Sequence, residues 1–325
     1  MSVLGPRPGL TKRRAAAITA RAVVLGVSVV ALRHELAGLD RAQLTAALRQ
    51  YDAPQVALAV LCTAASFATL GLVEFLAPHY AGRGASRAIP GRAALATAFV
   101  AHAFSQSMGF GLLTGTAVRL RAYAKYDVDA ETCARISIFV TTTTLLGLFA
   151  LGSIALLTAP GFSRLVWTRA AAASIGAAMA AVVVAYLAWC SLGGNKGIGV
   201  GEWRLTPPSS SMAATQMALA IADWLVTGTV LYLLLLHGTF ASFTGFLAAY
   251  LVAHAAGIAS HVPAGAGVFE ATFLASIAPG AVNPERAGLV ASLVAYRVLY
   301  YALPLCAAAA LATISELRRR HGAMP

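Results

Sequence analysis

Few residues in this sequence can do ionic chemistry, and several lie in strongly apolar surroundings. Glu270 ends the run Pro263-Ala264-Gly265-Ala266-Gly267-Val268-Phe269-Glu270. Asp223 is the only Asp, Glu, Lys or Arg between Leu205 and Phe269. Arg119 follows Gly115 in Leu112-Leu113-Thr114-Gly115-Thr116-Ala117-Val118-Arg119-Leu120-Arg121-Ala122-Tyr123. Arg297 sits among aromatics in Ala295-Tyr296-Arg297-Val298-Leu299-Tyr300-Tyr301-Ala302-Leu303-Pro304. A charge in hydrocarbon is costly unless it meets a partner or a polar cavity. Arg119, directly after glycine breaks, suits bidentate hydrogen bonds to a phosphate. Glu270 has three readings: a cap for the short helix starting there, a contact for a cationic headgroup, or a partner for Arg297. Arg297 pairs with Glu270 or touches cargo. Asp223 takes a hydrogen-bond donor, a cationic group or a relayed proton. Arg119 and Glu270, each just beyond a glycine-rich break, share one cavity or form a structural bridge.

Other groups read as structural. Thr141 to Thr144 can bond their own helix backbone. His254 and His261 lie seven apart, and a metal would need more ligands. Cys62, Cys133, Cys190 and Cys306 are scattered singles without a CxxC pair. No Ser-His-Asp order, Walker loop or Rossmann fingerprint is present, so no ATP, metal or other cofactor is expected.

The elements that position these groups must be membrane helices. Hydrophobic residues make up 59% of the 325 residues and charged residues only 11%, against roughly 25% charged in a soluble domain. That excludes a soluble enzyme and a disordered chain. Lys and Arg number 24 against 12 Asp and Glu. Basic residues near span ends indicate a positive-inside membrane protein, not a nucleic-acid binder.

A crossing takes about 20 apolar residues. Candidate spans are 15–32, a retained first helix rather than a cleaved signal, then 53–77, 93–118, 136–163, 170–195, 212–236, 240–278 and 286–315. Within 93–127, Gly109, Gly111 and Gly115 interrupt the helix. Within 240–278 the break falls at His261-Val262-Pro263-Ala264-Gly265. Both segments therefore read as broken or re-entrant hairpins, and two full crossings in place of each hairpin would preserve the same sidedness. Loops 78–92 and 196–204 and both termini carry the basic excess and are expected in the cytoplasm, while 33–52 is expected outside. The order of elements in 1–160 recurs in 161–325 with the opposite starting side, as in an inverted repeat. Shared helical composition gives the same faint likeness.

The fold expected is all-α: one polytopic helical bundle over 1–325 with two hairpins. The motifs resemble the transmembrane region of the lysylphosphatidylglycerol synthetase/flippase family, also called multiple peptide resistance factor. That family shows an Arg-x-Arg-x-Tyr-like element after glycines, then Pro-Gly-Gly-x-Gly-x-x-Glu, then Tyr-Arg-x-x-Tyr-Tyr-x-x-Pro. Here Ala264 replaces the first glycine of the second element, and the third matches at Tyr296, Arg297, Tyr300, Tyr301 and Pro304. Bifunctional members continue into a soluble aminoacyl-transfer domain, for which the nine residues after Glu316 leave no room. The resemblance thus implies the flippase half, a non-enzymatic transporter of a phospholipid or related amphiphile in the inner membrane. It implies a binding set of Arg119, Glu270, Arg297, Asp223, Tyr123, Tyr300, Gly115, Gly265, Gly267 and Pro263. A membrane transferase on lipid-linked substrates and a scaffold for a separate lipid synthase are the rival readings, and a homo-oligomer is left open.

Overall fold

The computed structural model describes residues 41–108, 111–158, 168–192, 197–200, 203–235, 242–277 and 283–321. The candidate first span at 15–32 and the turn at 237–239 lie outside these. Among the described residues twelve α-helices follow in order. They are α1 (Arg41–Leu48), α2 (Ala53–Ala81), α3 (Arg83–Ala88), α4 (Gly91–Met108), α5 (Gly111–Tyr123) and α6 (Ala130–Thr158). Then come α7 (Arg169–Leu192), α8 (Ser210–Leu234), α9 (Phe243–Ser260), α10 (Val268–Ile277), α11 (Asn283–Tyr296) and α12 (Leu303–His321). A π-helical segment, Arg297–Ala302, joins α11 to α12 without a break. The sequence did not foretell the small antiparallel hairpin of β1 (Ile198–Val200) and β2 (Trp203–Leu205). The expected 33–52 loop contains α1. Six helices among the described residues are long and apolar enough to cross a membrane, so the chain is an all-α, multi-pass membrane bundle.

Short polar residues set the helix starts. The side chains of Asp52, Asp129, Ser209 and Ser242 accept the backbone N–H three residues on, at Gln55, Thr132, Met212 and Gly245. Each satisfies one of the four N–H groups that a helix start leaves unpaired. Two glycine-rich breaks split the hairpins where expected. Met108 ends α4 and α5 restarts at Gly111. Gly115 is a correction in detail: it lies inside α5 and does not break it. Its role is space, because a Cβ there would stand 2.7 Å from Nη1 of Arg119. The second break is sharper. His261, Ala264, Gly265 and Gly267 all take positive φ, and the Gly265 backbone comes against Gly257. At φ +55° Ala264 occupies a conformation in which a glycine would be unstrained.

In each hairpin the second helix folds back on the first: α5 packs on α4, and α10 on α9. At 1.5 Å per residue, the 13 residues of α5 and 10 of α10 span roughly 20 and 15 Å, short of a ~30 Å hydrocarbon core. The centre is α2 against α8, both flanked by α6. There α6 and α8 touch backbone to backbone, since a Cβ on Gly147 would lie 2.6 Å from the Ala220 carbonyl oxygen. Hairpin helix α4 packs on α12, and hairpin helix α9 on α6. The core follows these contacts. A large cluster includes Phe67, Trp224, Leu231, Phe246, Tyr250, Phe273 and Tyr296. A second, around Val73, Tyr123, Ile136 and Phe139, secures the first hairpin to α2 and α6. Leu61, Val184 and Leu192 project outward, as apolar residues of a lipid-facing surface do.

Candidate functional site between the two hairpins

Between the two hairpins lies an open cavity of about 430 Å3. Ser105, Gln106 and Gly111–Leu113 border it from the first hairpin, and His261, Val262, Ala264 and Gly265 from the second. Its inner wall comes from α2, α6, α8 and the π segment.

The polar groups at and behind the lining are organised by helical spacing. On α2, Ser66, Leu70 and Glu74 follow at i, i+4 and i+8, one face of a helix. Ser66 donates to Oδ1 of Asp223 at 2.6 Å. The Ser66 hydroxyl also lies 3.1 Å from those of Thr227 and Tyr300, and Gln106 donates to the Tyr300 hydroxyl at 3.4 Å. Asp223, 8% exposed, is thus held by a hydroxyl cluster contributed by α2, α8 and the π segment. Among the described residues no basic side chain pairs with it. The donor left open by the sequence is Ser66.

Eight residues along α2, Glu74 is fully buried and binds Arg119. Nε of Arg119 donates to both carboxylate oxygens at 2.9 and 3.0 Å, and Nη2 donates to Oε2 at 2.6 Å. Tyr123 donates to the same carboxylate at 2.8 Å, and Nη1 of Arg119 donates to Ser137 at 3.2 Å. The bridge considered between Arg119 and Glu270 is therefore not the one formed. Spacing gave no sign that Arg119 would take Glu74, because that choice depends on how α5 leans on α2.

Glu270 meets two of its three readings at once. Its Oε2 accepts the Gly267 N–H at 2.8 Å, the carboxylate half of a capping box at the start of α10. Its Oε1 accepts Nε of Arg297 at 2.6 Å. Nη1 of Arg297 donates to the Ala264 carbonyl at 2.6 Å, and the guanidinium lies 4.8 Å above the Tyr301 ring. One arginine thus fastens the turn of the second hairpin to the π segment.

Of the ten residues singled out in the sequence, Arg119, Asp223, Tyr300 and Gly265 line the cavity. Gly115 supports Arg119 from behind, and Tyr123 is buried against Glu74. Pro263 opens the tight turn 263–265, while Gly267 and Glu270 cap α10. Arg297 anchors that turn. Reasoning from sequence missed Glu74, Ser66, His102 and Gln106. His102 and Gln106 lie one turn apart on α4 and line the cavity, and His102 Nε2 and Gln106 Oε1 lack hydrogen-bond partners among the described residues. His254 contacts the Tyr250 carbonyl and the Tyr301 hydroxyl. Among the described residues no three metal-ligating side chains gather. Thr143 and Thr144 donate to their own helix backbone, as expected.

Comparison with known proteins agrees with this architecture. Over 213 residues the chain is 34% identical to slr0712, an uncharacterized protein of Synechocystis sp., covering 64% of each. It is 29% identical over 262 residues to the inner membrane protein YbhN of Escherichia coli, covering 79% of each. It is 25% identical over 302 residues to a phosphatidylglycerol lysyltransferase of Staphylococcus haemolyticus, covering 90% of this chain but 33% of that protein. The aligned region thus spans just under two thirds of slr0712 and about a third of the lysyltransferase. The profile of the lysylphosphatidylglycerol synthase transmembrane region matches residues 17–308. With nearly all of its membrane bundle inside that match, the chain belongs to the lysylphosphatidylglycerol synthase transmembrane-region family.

Proposed function

We propose that the chain carries a phospholipid, or a related amphiphile with a polar headgroup, between membrane leaflets without making or breaking any of its bonds. The observation that carries this reading is the cavity: a largely apolar chamber with a few charged and hydroxyl side chains in its wall, bordered by both hairpins, inside an exterior that is apolar. A headgroup could enter it while acyl chains stay among the lipid-facing leucines. The two short hairpin helices support a re-entrant arrangement, in which irregular backbone at membrane depth lines a cavity. The crossed packing of each hairpin on the far half, α4 on α12 and α9 on α6, supports the inverted repeat of 1–160 and 161–325. Likeness to YbhN supports an inner-membrane location, and basic ends support cytoplasmic termini.

Within this reading Asp223 and Tyr300 face the headgroup directly. Arg119 and Arg297 are engaged by carboxylates, so either would reach a phosphate only by sharing or exchanging its partner. Glu74 and Glu270 hold the two hairpins in place through those arginines. A second reading draws on the staphylococcal relative, a phosphatidylglycerol lysyltransferase matched over 33% of its length: the chain would be the membrane partner of a separate lipid synthase. A pull-down from detergent separates the two.

The test is reconstitution of the purified chain with headgroup-labelled lipids. Label exposure to the opposite leaflet should be faster than in protein-free vesicles, with lipid composition unchanged. No acceleration would remove the translocation reading, and new lipid species made by the chain alone would reverse the non-enzymatic one.

A further inference from the structure

Among the described residues, Asp223 is the charged group of the cavity for which no opposite charge is provided. Arg119 is matched by Glu74, and Arg297 by Glu270. Asp223 receives a neutral hydroxyl from Ser66, and the hydroxyls of Thr227 and Tyr300 gather on Ser66. The elements packed around it offer no free cation among the described residues. From α4 comes His102, and from α9 come Tyr250 and His254, the latter bonded to Tyr301. The π segment contributes Tyr300 and α11 contributes Tyr296, which is bonded to Tyr250. Tyr186 of α7 is taken by Gln216, elsewhere on α8. From α6, Thr141 and Thr144 bring hydroxyls to the cavity. A carboxylate in a low-dielectric bundle must be neutralised by a proton or by a cation.

We propose that Asp223 is an exchange site at which a proton and the ammonium group of a lipid headgroup alternate, so that headgroup movement is coupled to proton movement in the opposite direction. This rests on the translocation reading and adds its driving force. The balance is simple. A protonated Asp223 meets R–NH3+, the carboxylate takes the ammonium as its counter-ion, and the acid proton leaves through the open cavity to water. On the far side a proton returns and the ammonium departs. The carboxylate is neutralised in both occupied states, by a proton in one and by the ammonium in the other, while a phosphate in the same headgroup keeps its own negative charge. Ser66 can turn its hydroxyl to donate to the carboxylate or accept from the acid, and Thr227 and Tyr300 can take up the hydrogen bond it changes.

Two measurements test this. In the first, dihexanoylphosphatidylethanolamine is added to detergent-solubilised protein in weak buffer, with dihexanoylphosphatidylglycerol as the amine-free control. The ethanolamine lipid should release a proton and the glycerol lipid should not. Asp223→Asn, which keeps an acceptor for Ser66, should abolish the release. Ser66→Ala keeps the carboxylate, so release should persist with a shifted pH dependence, which guards against a misfolded Asp223→Asn. In the second, vesicles holding a pH dye and labelled phosphatidylethanolamine should show lipid movement accompanied by opposing proton movement. Lipid movement with no proton flux, and at the same rate in Asp223→Asn, overturns the exchange while leaving translocation intact. Proton release on binding without any lipid movement supports the exchange site and removes the translocation reading. Equal proton release with both lipids overturns the ammonium assignment.

Discussion

Glu74 and Arg119, 45 positions apart, meet as a bidentate ion pair from which water is almost excluded: the side chains are 0% and 4% exposed. Removing either partner strands the other charge in the bundle. Glu74→Ala or Arg119→Ala should each lower stability by about 3–5 kcal/mol, read as thermal unfolding in detergent. The double substitution should cost clearly less than the sum of the two. Additive losses would show that the pair is not coupled.

For the second hairpin the cap and the ion pair can be separated. Glu270→Gln keeps an oxygen for the Gly267 N–H but gives up the charge opposite Arg297. If capping were the whole role, the loss would be about 1 kcal/mol or less. A larger loss is expected, and Arg297→Lys should be similarly harmful, because a single ammonium cannot reproduce the planar fork that spans Glu270 and Ala264. Size-exclusion profiles of the detergent-solubilised variants over a temperature series give the ranking.

Gly147→Ala tests the close approach of α6 to α8. Its new methyl would meet backbone, which cannot rotate away, and a cost of about 1–3 kcal/mol follows. Gly84→Ala in α3 is the control. A Cβ there meets nothing within 4 Å, so that variant should be neutral or slightly more stable. Equal melting temperatures for the two variants would contradict the contact.

Asp129 precedes the first residue of α6, and the Thr132 backbone N–H holds its carboxyl below the usual range. A depressed carboxyl stabilises the fold when ionised. Its contribution is therefore complete above the ordinary Asp value near pH ~4 and fades as the pH falls through the lower folded value. Asp129→Ala should cost about 1 kcal/mol at neutral pH and progressively less under acid conditions. A loss independent of pH would exclude an electrostatic part.

Orientation is open to chemical labelling. With the native cysteines replaced, single cysteines at positions 2 and 323 should both resist a membrane-impermeant maleimide in intact cells and react after permeabilisation. Reaction of either in intact cells would overturn the proposed cytoplasmic placement.

The membrane bundle was legible in the sequence because runs without Asp, Glu, Lys or Arg have few other uses. The breaks after Met108 and Ser260 were legible because Gly and Pro stop helices in characteristic ways. Partner choice was not. Arg297 had Glu270 among its alternatives, but Glu74 for Arg119 required knowing which face α2 turns to α5. Ser66 shows the limit most plainly. Thr63 and Thr69, its neighbours on α2, donate to their own backbone four residues back, the ordinary habit of hydroxyls in apolar helices. Ser66 turns instead to Asp223, 157 positions away, and no local pattern tells these hydroxyls apart.

The π segment at Arg297–Ala302 also sets a rotational register. A π turn holds about one residue more than an α turn, so the helix beyond it is swung by roughly 100° relative to an uninterrupted one. That swing selects which stripe of α12 meets α4. Ala308 is on the inner stripe and Leu311 is half-exposed on the outer one. Deleting a single residue within 297–302 would give a more regular helix and a worse protein, since every side chain after the deletion would point about a quarter-turn away from its neighbour. The irregular turn is thus the phase adjustment that lets one continuous helix serve different partners, α1 and α8 on its near half and the first hairpin on its far half.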